Sequence, residues 1–134
     1  SEFTRRHVFL HALVGARSKP STKPPTIGFS DFLKHRLHLE PSDAVVVKMD
    51  VEGHEYDIVE TLLQDGTAGL IDELFLEVHY NHPRMRKLFH WCTERQRKID
   101  KSERNPFWCN RTLQEATSLY ERLRGAGVYA HHWP

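Results

Sequence analysis

The alternation of apolar runs and polar breaks divides the chain into a short series of strands and helices. Residues 7–14 (His-Val-Phe-Leu-His-Ala-Leu-Val) are apolar and partly β-branched, which predicts a buried strand ending at Gly15. Pro20, Pro24 and Pro25, set among polar residues, make 16–27 a loop without regular structure. Ser30 is placed to cap a helix with Asp31 in its first turn. Phe29, Phe32, Leu33 and Leu37 share one face of that helix, and Pro41 ends it. Residues 44–49 (Ala-Val-Val-Val-Lys-Met) read as a strand covered on both faces, as in a parallel sheet. Asp50 to Gly53 then form the turn into a helix that carries Tyr56, Val59, Leu62 and Leu63 on one side and stops at Gly66. Residues 73–80 predict a second buried strand, and Met85, Leu88, Phe89 and Cys92 again have helical spacing. The stretch 94–104 is dense in charge and reads as a solvated helix end and loop. Thr112 and Glu115 form a capping box ahead of an apolar face of Leu113, Ala116, Tyr120 and Leu123. Gly125 and Gly127 end that helix, and 128–133 supply a last strand. The order β-loop-α-β-α-β-α-β predicts an α/β domain with a mostly parallel sheet flanked by helices.

Composition narrows the functions this pattern can serve. The 134 residues suit one domain, and 39% hydrophobic residues give it a modest core. A net charge of +1 supplies no field to attract nucleic acid or an anionic membrane. No apolar run approaches the roughly 18–20 residues of a membrane span. Cys92 and Cys109 form neither a metal motif nor a disulfide framework, and neither has a motif partner that would make it a nucleophile. Ser1-Glu2-Phe3 reads as a cloning scar with no signal peptide behind it, so a piece of a longer protein is expected.

Ligands of open parallel sheets bind beyond the carboxyl ends of the strands. Two such ends are polar here, Lys48 to Glu55 and Glu77 to His82. Asp50, Glu52, Glu77 and His79 are the candidate catalytic residues. Gly53 permits a tight turn, and Glu52 and Glu55 complement the helix dipole. Plainer roles stand beside these. Asp50 caps the next helix with help from Glu55, or Glu77 and His79 form a mutually satisfied polar pair. A metal site from Asp50, Glu52, Glu77, His79 and His82 is a further alternative, although the spacing matches no standard zinc motif. His131 and His132 read as surface residues. The basic residues Arg84, Arg86, Lys87, Arg95, Arg97 and Lys98 read as a solvated helix face rather than a phosphate strip. Asn110-Arg111-Thr112 is a glycosylation sequon, relevant only in a secreted protein.

The segment Lys48-Met49-Asp50-Val51-Glu52-Gly53-His54-Glu55 closely resembles the K-φ-D-x-E-G-x-E signature (φ apolar) of FkbM-type methyltransferases. Residues 26–33 resemble the segment before that signature, and residues 71–81 resemble the strand after it. The latter stretch and the ending 127–133 are similar to plant and green-algal members, and the likeness runs over about residues 8–133. It implies a class I, Rossmann-like methyltransferase fold using S-adenosylmethionine. Asp50 and Glu52 would stand at the active-site rim, and Glu77 and His79 would face the pocket of a glycan or small-molecule acceptor. A carboxylate or His79 would orient or deprotonate the acceptor hydroxyl.

The glycine-rich turn and the ribose-binding acid of that fold are missing from the sequence. Residues 1–134 therefore resemble the C-terminal half of such an enzyme, a partial fold without its N-terminal cofactor-binding strands. By itself it is expected to bind the cofactor weakly or not at all. The 44–50 strand is expected to leave an open sheet edge that self-associates or pairs with 7–14. A non-catalytic binding or interaction module derived from the same fold is the alternative function, and a metal hydrolase a third. For compartment, the plant-type likeness points to a Golgi or secretory lumen, with the cytoplasm as the alternative.

Overall fold

The computed structural model describes residues 8–39, 42–89, 92–93 and 107–133. They form an α/β arrangement of small parallel sheets flanked by helices. A two-stranded sheet pairs β1 (Leu13–Gly15) with β2 (Thr26–Gly28). A three-stranded sheet has the order β3 (Val46–Met49), β4 (Glu73–Leu76), β5 (Tyr129–His132), parallel throughout. The helices are α1 (Phe29–His35), α2 (Glu55–Gln64), α3 (Pro83–Phe89) and α4 (Leu113–Gly125), with 3-10 turns at Thr67–Leu70 and Phe107–Asn110. No helix among the described residues is long and apolar enough to cross a membrane.

The parallel pairing of β3 with β4 follows the apolar runs, in the register Val46 to Glu73 and Met49 to Leu76. That register puts Val47, Met49, Leu74, Leu76 and Ala130 on one face. There they meet Ile58, Val59 and Leu62 of α2 and Leu119, Tyr120 and Leu123 of α4, which form the core. The expectation that β3 is covered on both faces is not met. Val46 is 59% exposed and Lys48 is exposed, because α2 and α4 pack on a single face. The opposite face carries half-exposed rings instead. Phe75 stacks on His131 at 4.7 Å between centroids, Trp133 meets Phe75 edge-on, and the Lys48 ammonium lies 5.1 Å from the Trp133 ring. His131, read as a surface residue, is partly exposed and lies 2.7 Å from Glu73 Oε1.

Near the start of the chain, tertiary contacts override the local pattern. Residues 7–14 do not form a buried strand: Val8 and Phe9 are exposed, and only Leu13–Gly15 pairs. It pairs with β2, which lies partly inside the predicted loop, and not with the edge of β3. Gly28, rather than Ser30, is the N-cap of α1. It lies so close to Ser18 that an added Cβ would come within 2.8 Å of the Ser18 nitrogen, and its own N–H donates to Ser18 Oγ. Ser30 is buried within the first turn and bonds Asp65 and Thr67 instead. The helix ends at His35, ahead of Pro41. The strands at 44–50 and 73–80 are each shorter than their apolar patterns, and α3 starts at Pro83, ahead of the pattern that begins at Met85. The charged stretch 94–104 lies outside the described residues. The capping box at Thr112 and Glu115 is present as the sequence predicts.

Asp65 fastens α1 to the end of α2. Burial opposes its ionisation, but bonds from Ser30 and Thr67 and the Lys34 ammonium at 3.0 Å outweigh this and hold its carboxyl well below the usual carboxylate range. A depressed folded-state pKa stabilises the fold above the unfolded value near ~3.9, and the contribution is lost as pH falls through the folded value. Asp65→Asn is therefore expected to flatten the acid limb of stability. Urea midpoints measured from neutral pH downward check this, and parallel limbs for the two proteins would refute it.

Candidate active site

The site is assembled where β3 and β4 end side by side. Asp50 follows the last residue of β3 and is exposed. The chain then turns through Glu52 and Gly53, both left-handed at φ of 53° and 94°. Gly53 adopts this conformation freely, whereas Glu52 is an uncommon occupant of it. The turn brings the N–H groups of Val51 and Gly53 onto one oxygen. Both donate to Glu55 Oε1, at 3.0 and 3.1 Å. Glu55 opens α2 and is fully buried. The expectation that Asp50 caps this helix is incorrect: His54 is the N-cap, with no side-chain bond to the helix N–H groups, and Glu55 reaches back into the turn.

From β4 the chain continues in extended form through Glu77, whose N–H donates to Met49 O at 3.0 Å, and on to His79. The His79 ring comes to rest on Glu55, with Nδ1 3.1 Å from the same Oε1. Since Glu55 is the acceptor, Nδ1 carries the proton and Nε2 faces outward. There Glu52 Oε2 lies at 3.5 Å and Glu77 Oε1 at 4.0 Å. Glu77 and His79 are therefore not the self-contained pair considered from sequence. The closest carboxylate to His79 belongs to Glu55, which sequence reasoning assigned to the helix dipole. The backbone of His79 is held as well: Tyr56 donates its hydroxyl to His79 O at 2.9 Å. Three residues earlier, Tyr120 donates to Leu76 O at 2.6 Å, and the Trp108 ring lies 5.8 Å from that of His79.

These contacts shift both groups of the pair toward their charged forms. Burial works to raise the Glu55 pKa, but bonds from His79 and from the Val51 and Gly53 N–H groups hold it below the ordinary carboxylate value. The bond to Glu55 lifts His79 above the ordinary imidazole value. Burial opposes this, and the charges of Glu55, Glu52 and Glu77 add to it. The result is an oriented imidazole, basic at Nε2 and surrounded by negative charge. Such a group serves as a general base or as a ligand.

Asp50, Glu52 and His79 can each bring one ligand atom within 4.8 Å of the others, a set of two carboxylates and an imidazole suited to a divalent transition metal. Glu77 and His82, also considered as ligands from sequence, are not in that group, and His82 Nδ1 accepts from Arg84 N–H. Arg84, Arg86 and Lys87 lie exposed on α3, while Arg95, Arg97 and Lys98 fall outside the described residues.

Past His79, the segment Tyr80-Asn81-His82 borders an open cavity of about 370 Å³, shared with Arg86, Asn110 and Arg111. Asn81 is tied across it, its N–H to Arg111 O and its Nδ2 to Cys109 O. Cys109 is bonded to Cys92 in a disulfide, with Cα atoms 5.3 Å apart. The expectation of no disulfide framework is thus overturned: spacing alone does not show that the turn at 107–110 folds back beside α3.

The same geometry tests the fit of S-adenosylmethionine. Left-handed glycines among the described residues are Gly53, Gly66 and Gly127. The Gly53 N–H is taken by Glu55, and the other two follow the C-terminal ends of α2 and α4, opposite the strand ends that carry the site. Among the described residues, none of these three turns presents a free backbone N–H at the strand ends that carry the site.

No curated protein and no solved structure matches the chain. A family model described as a domain of unknown function, DUF7870, matches residues 4–134, and the chain belongs to that family.

Proposed function

We propose that this chain is the acceptor-activating part of an S-adenosylmethionine-dependent O-methyltransferase of FkbM type, acting on a hydroxyl of a sugar or small molecule. The observation that carries this reading is the Glu55–His79 pair, with Nε2 presented beside Glu52 and Glu77 at adjacent strand ends. It is supported by the signature running from Lys48 to Glu55, whose last residue is the carboxylate that orients the imidazole. The parallel α/β arrangement is compatible with a partial Rossmann-like fold. In this reading Nε2 takes the proton of the acceptor hydroxyl as the oxygen becomes nucleophilic. Glu55, held by two backbone N–H groups, stays ionised and stabilises the imidazolium. Asp50 and Glu52, both exposed, accept hydrogen bonds from neighbouring hydroxyls and position the acceptor. The methyl donor is assigned to elements outside residues 1–134.

The lack of a glycine-rich turn in the sequence favours one competing reading, a module that binds a saccharide without transferring a methyl group. Incubating the whole protein with methyl-labelled S-adenosylmethionine and a panel of hydroxylated saccharides separates the two. Label in a saccharide is the expected result. Saturable saccharide binding with no transfer would establish the module instead. Calorimetric titration of residues 1–134 with S-adenosylmethionine is expected to show no tight saturable binding, and tight binding would place the donor site within this chain.

A further inference from the structure

We propose that Asn110 carries an N-linked oligosaccharide. Two independent observations meet at this position. Asn110-Arg111-Thr112 is an acceptor sequon. The residue before it, Cys109, is oxidised in the disulfide to Cys92. Disulfides of this kind persist in the oxidising lumen of the secretory pathway and in secreted proteins, the compartments where asparagine receives its oligosaccharide.

The local fold is suited to such a branch. Along the turn Phe107–Asn110 the chain passes from buried to exposed: Trp108 and Cys109 are buried, and Asn110 faces solvent. The side chain of Asn110 stands at the rim of the open cavity beside Asn81 and His82, where a bulky substituent displaces none of the core. Thr112 serves twice. Its hydroxyl completes the sequon in the nascent chain, and after folding it accepts from Glu115 N–H at 3.2 Å as the N-cap of α4. Transfer precedes folding, so the two uses do not compete.

The reaction is an ordinary group transfer. Asn110 Nδ2 attacks the anomeric carbon of a lipid-linked oligosaccharyl diphosphate. The new C–N bond forms as the C–O bond to the diphosphate breaks, the lipid diphosphate leaves with the electron pair, and Nδ2 gives up one proton. This proposal does not depend on methyl transfer and remains open to test if that activity is absent.

The test uses protein taken from the cells that make it, alkylated without reduction and digested. Treatment with peptide-N-glycosidase in heavy-oxygen water is expected to leave an aspartate bearing heavy oxygen at position 110, together with a peptide pair linked through Cys92 and Cys109. Recovery of the Asn110 peptide unmodified before enzyme treatment would overturn the proposal, whatever the state of the cysteines. Expressed in the same cells, Asn110→Gln is expected to lose one oligosaccharide in mass. Thr112→Asp keeps a residue able to cap α4 but destroys the sequon, and is expected to lose the same mass. Thr112→Ser keeps both and is expected to retain it. Modification persisting in Thr112→Asp would equally overturn the assignment.

Discussion

Replacing His79 by Gln is expected to slow methyl transfer by the whole protein about 10²–10⁴-fold, the usual contribution of one general base. The choice of Gln matters because Glu55 is fully buried and ionised. An Ala at position 79 would remove one of the three donors to Glu55 Oε1, whereas a Gln amide can still supply one. The rate should therefore fall with little change in unfolding temperature. Asp50→Ala tests the rim by the same logic. Asp50 is exposed, so its loss is expected to raise KM for the acceptor more than it lowers kcat. Wild-type rates in His79→Gln would end the assignment of His79 as base. Equal losses of stability and rate in both variants would reduce the pair to a structural role.

The second large effect concerns the fold. Glu55→Ala is expected to destabilise the protein by about 3–5 kcal/mol, as removal of one partner from a buried pair does. Three donors converge on Oε1, and all three would be left without their acceptor. Glu55→Gln is the more informative change, because it keeps an oxygen there and removes the charge. The Glu55 pKa is lowered, so its contribution is present above the unfolded value of about 4.3 and is lost as pH falls through the folded one. The His79 pKa is raised, so its contribution is full below about 6.5 and is lost as pH rises through the folded value. The stability difference between wild type and Glu55→Gln should therefore be greatest between these limits and shrink on both sides. Denaturant midpoints across that range measure it. A difference independent of pH would mean that the pair is neutral.

What the sequence made legible was the part governed by local pattern. The capping box of α4, the helix beginning at Glu55 and the parallel partners β3 and β4 all follow from periodicity and turn chemistry. Asp50, Glu52, Glu77 and His79 could be singled out because strand ends are where polar residues interrupt apolar runs. The role of Glu55 could not be read the same way. His79 lies 24 positions further on, and the two meet only because β3 and β4 are in register with Met49 beside Leu76. Local pattern places Ser30 at a helix start, whereas its partners Asp65 and Thr67 are supplied by the far end of α2. The same limit hid the covering of the sheet. An apolar run such as 44–49 reports burial on average, and not which side the helices take.

Glu55 and Tyr56 are consecutive residues on the first turn of α2, yet they hold His79 from two directions, one at the ring and one at the backbone carbonyl. An imidazole on an unrestrained backbone can rotate about its own axis and spend much of its time with the other nitrogen outward. Here a ring flip would take Nδ1 away from its acceptor while the carbonyl stayed pinned to a phenol. The choice between nitrogens is thus settled when α2 docks against β4, before any acceptor arrives. A substitution that merely tilted the first turn of α2 would leave every group of the site in place chemically and return to the imidazole its rotational freedom.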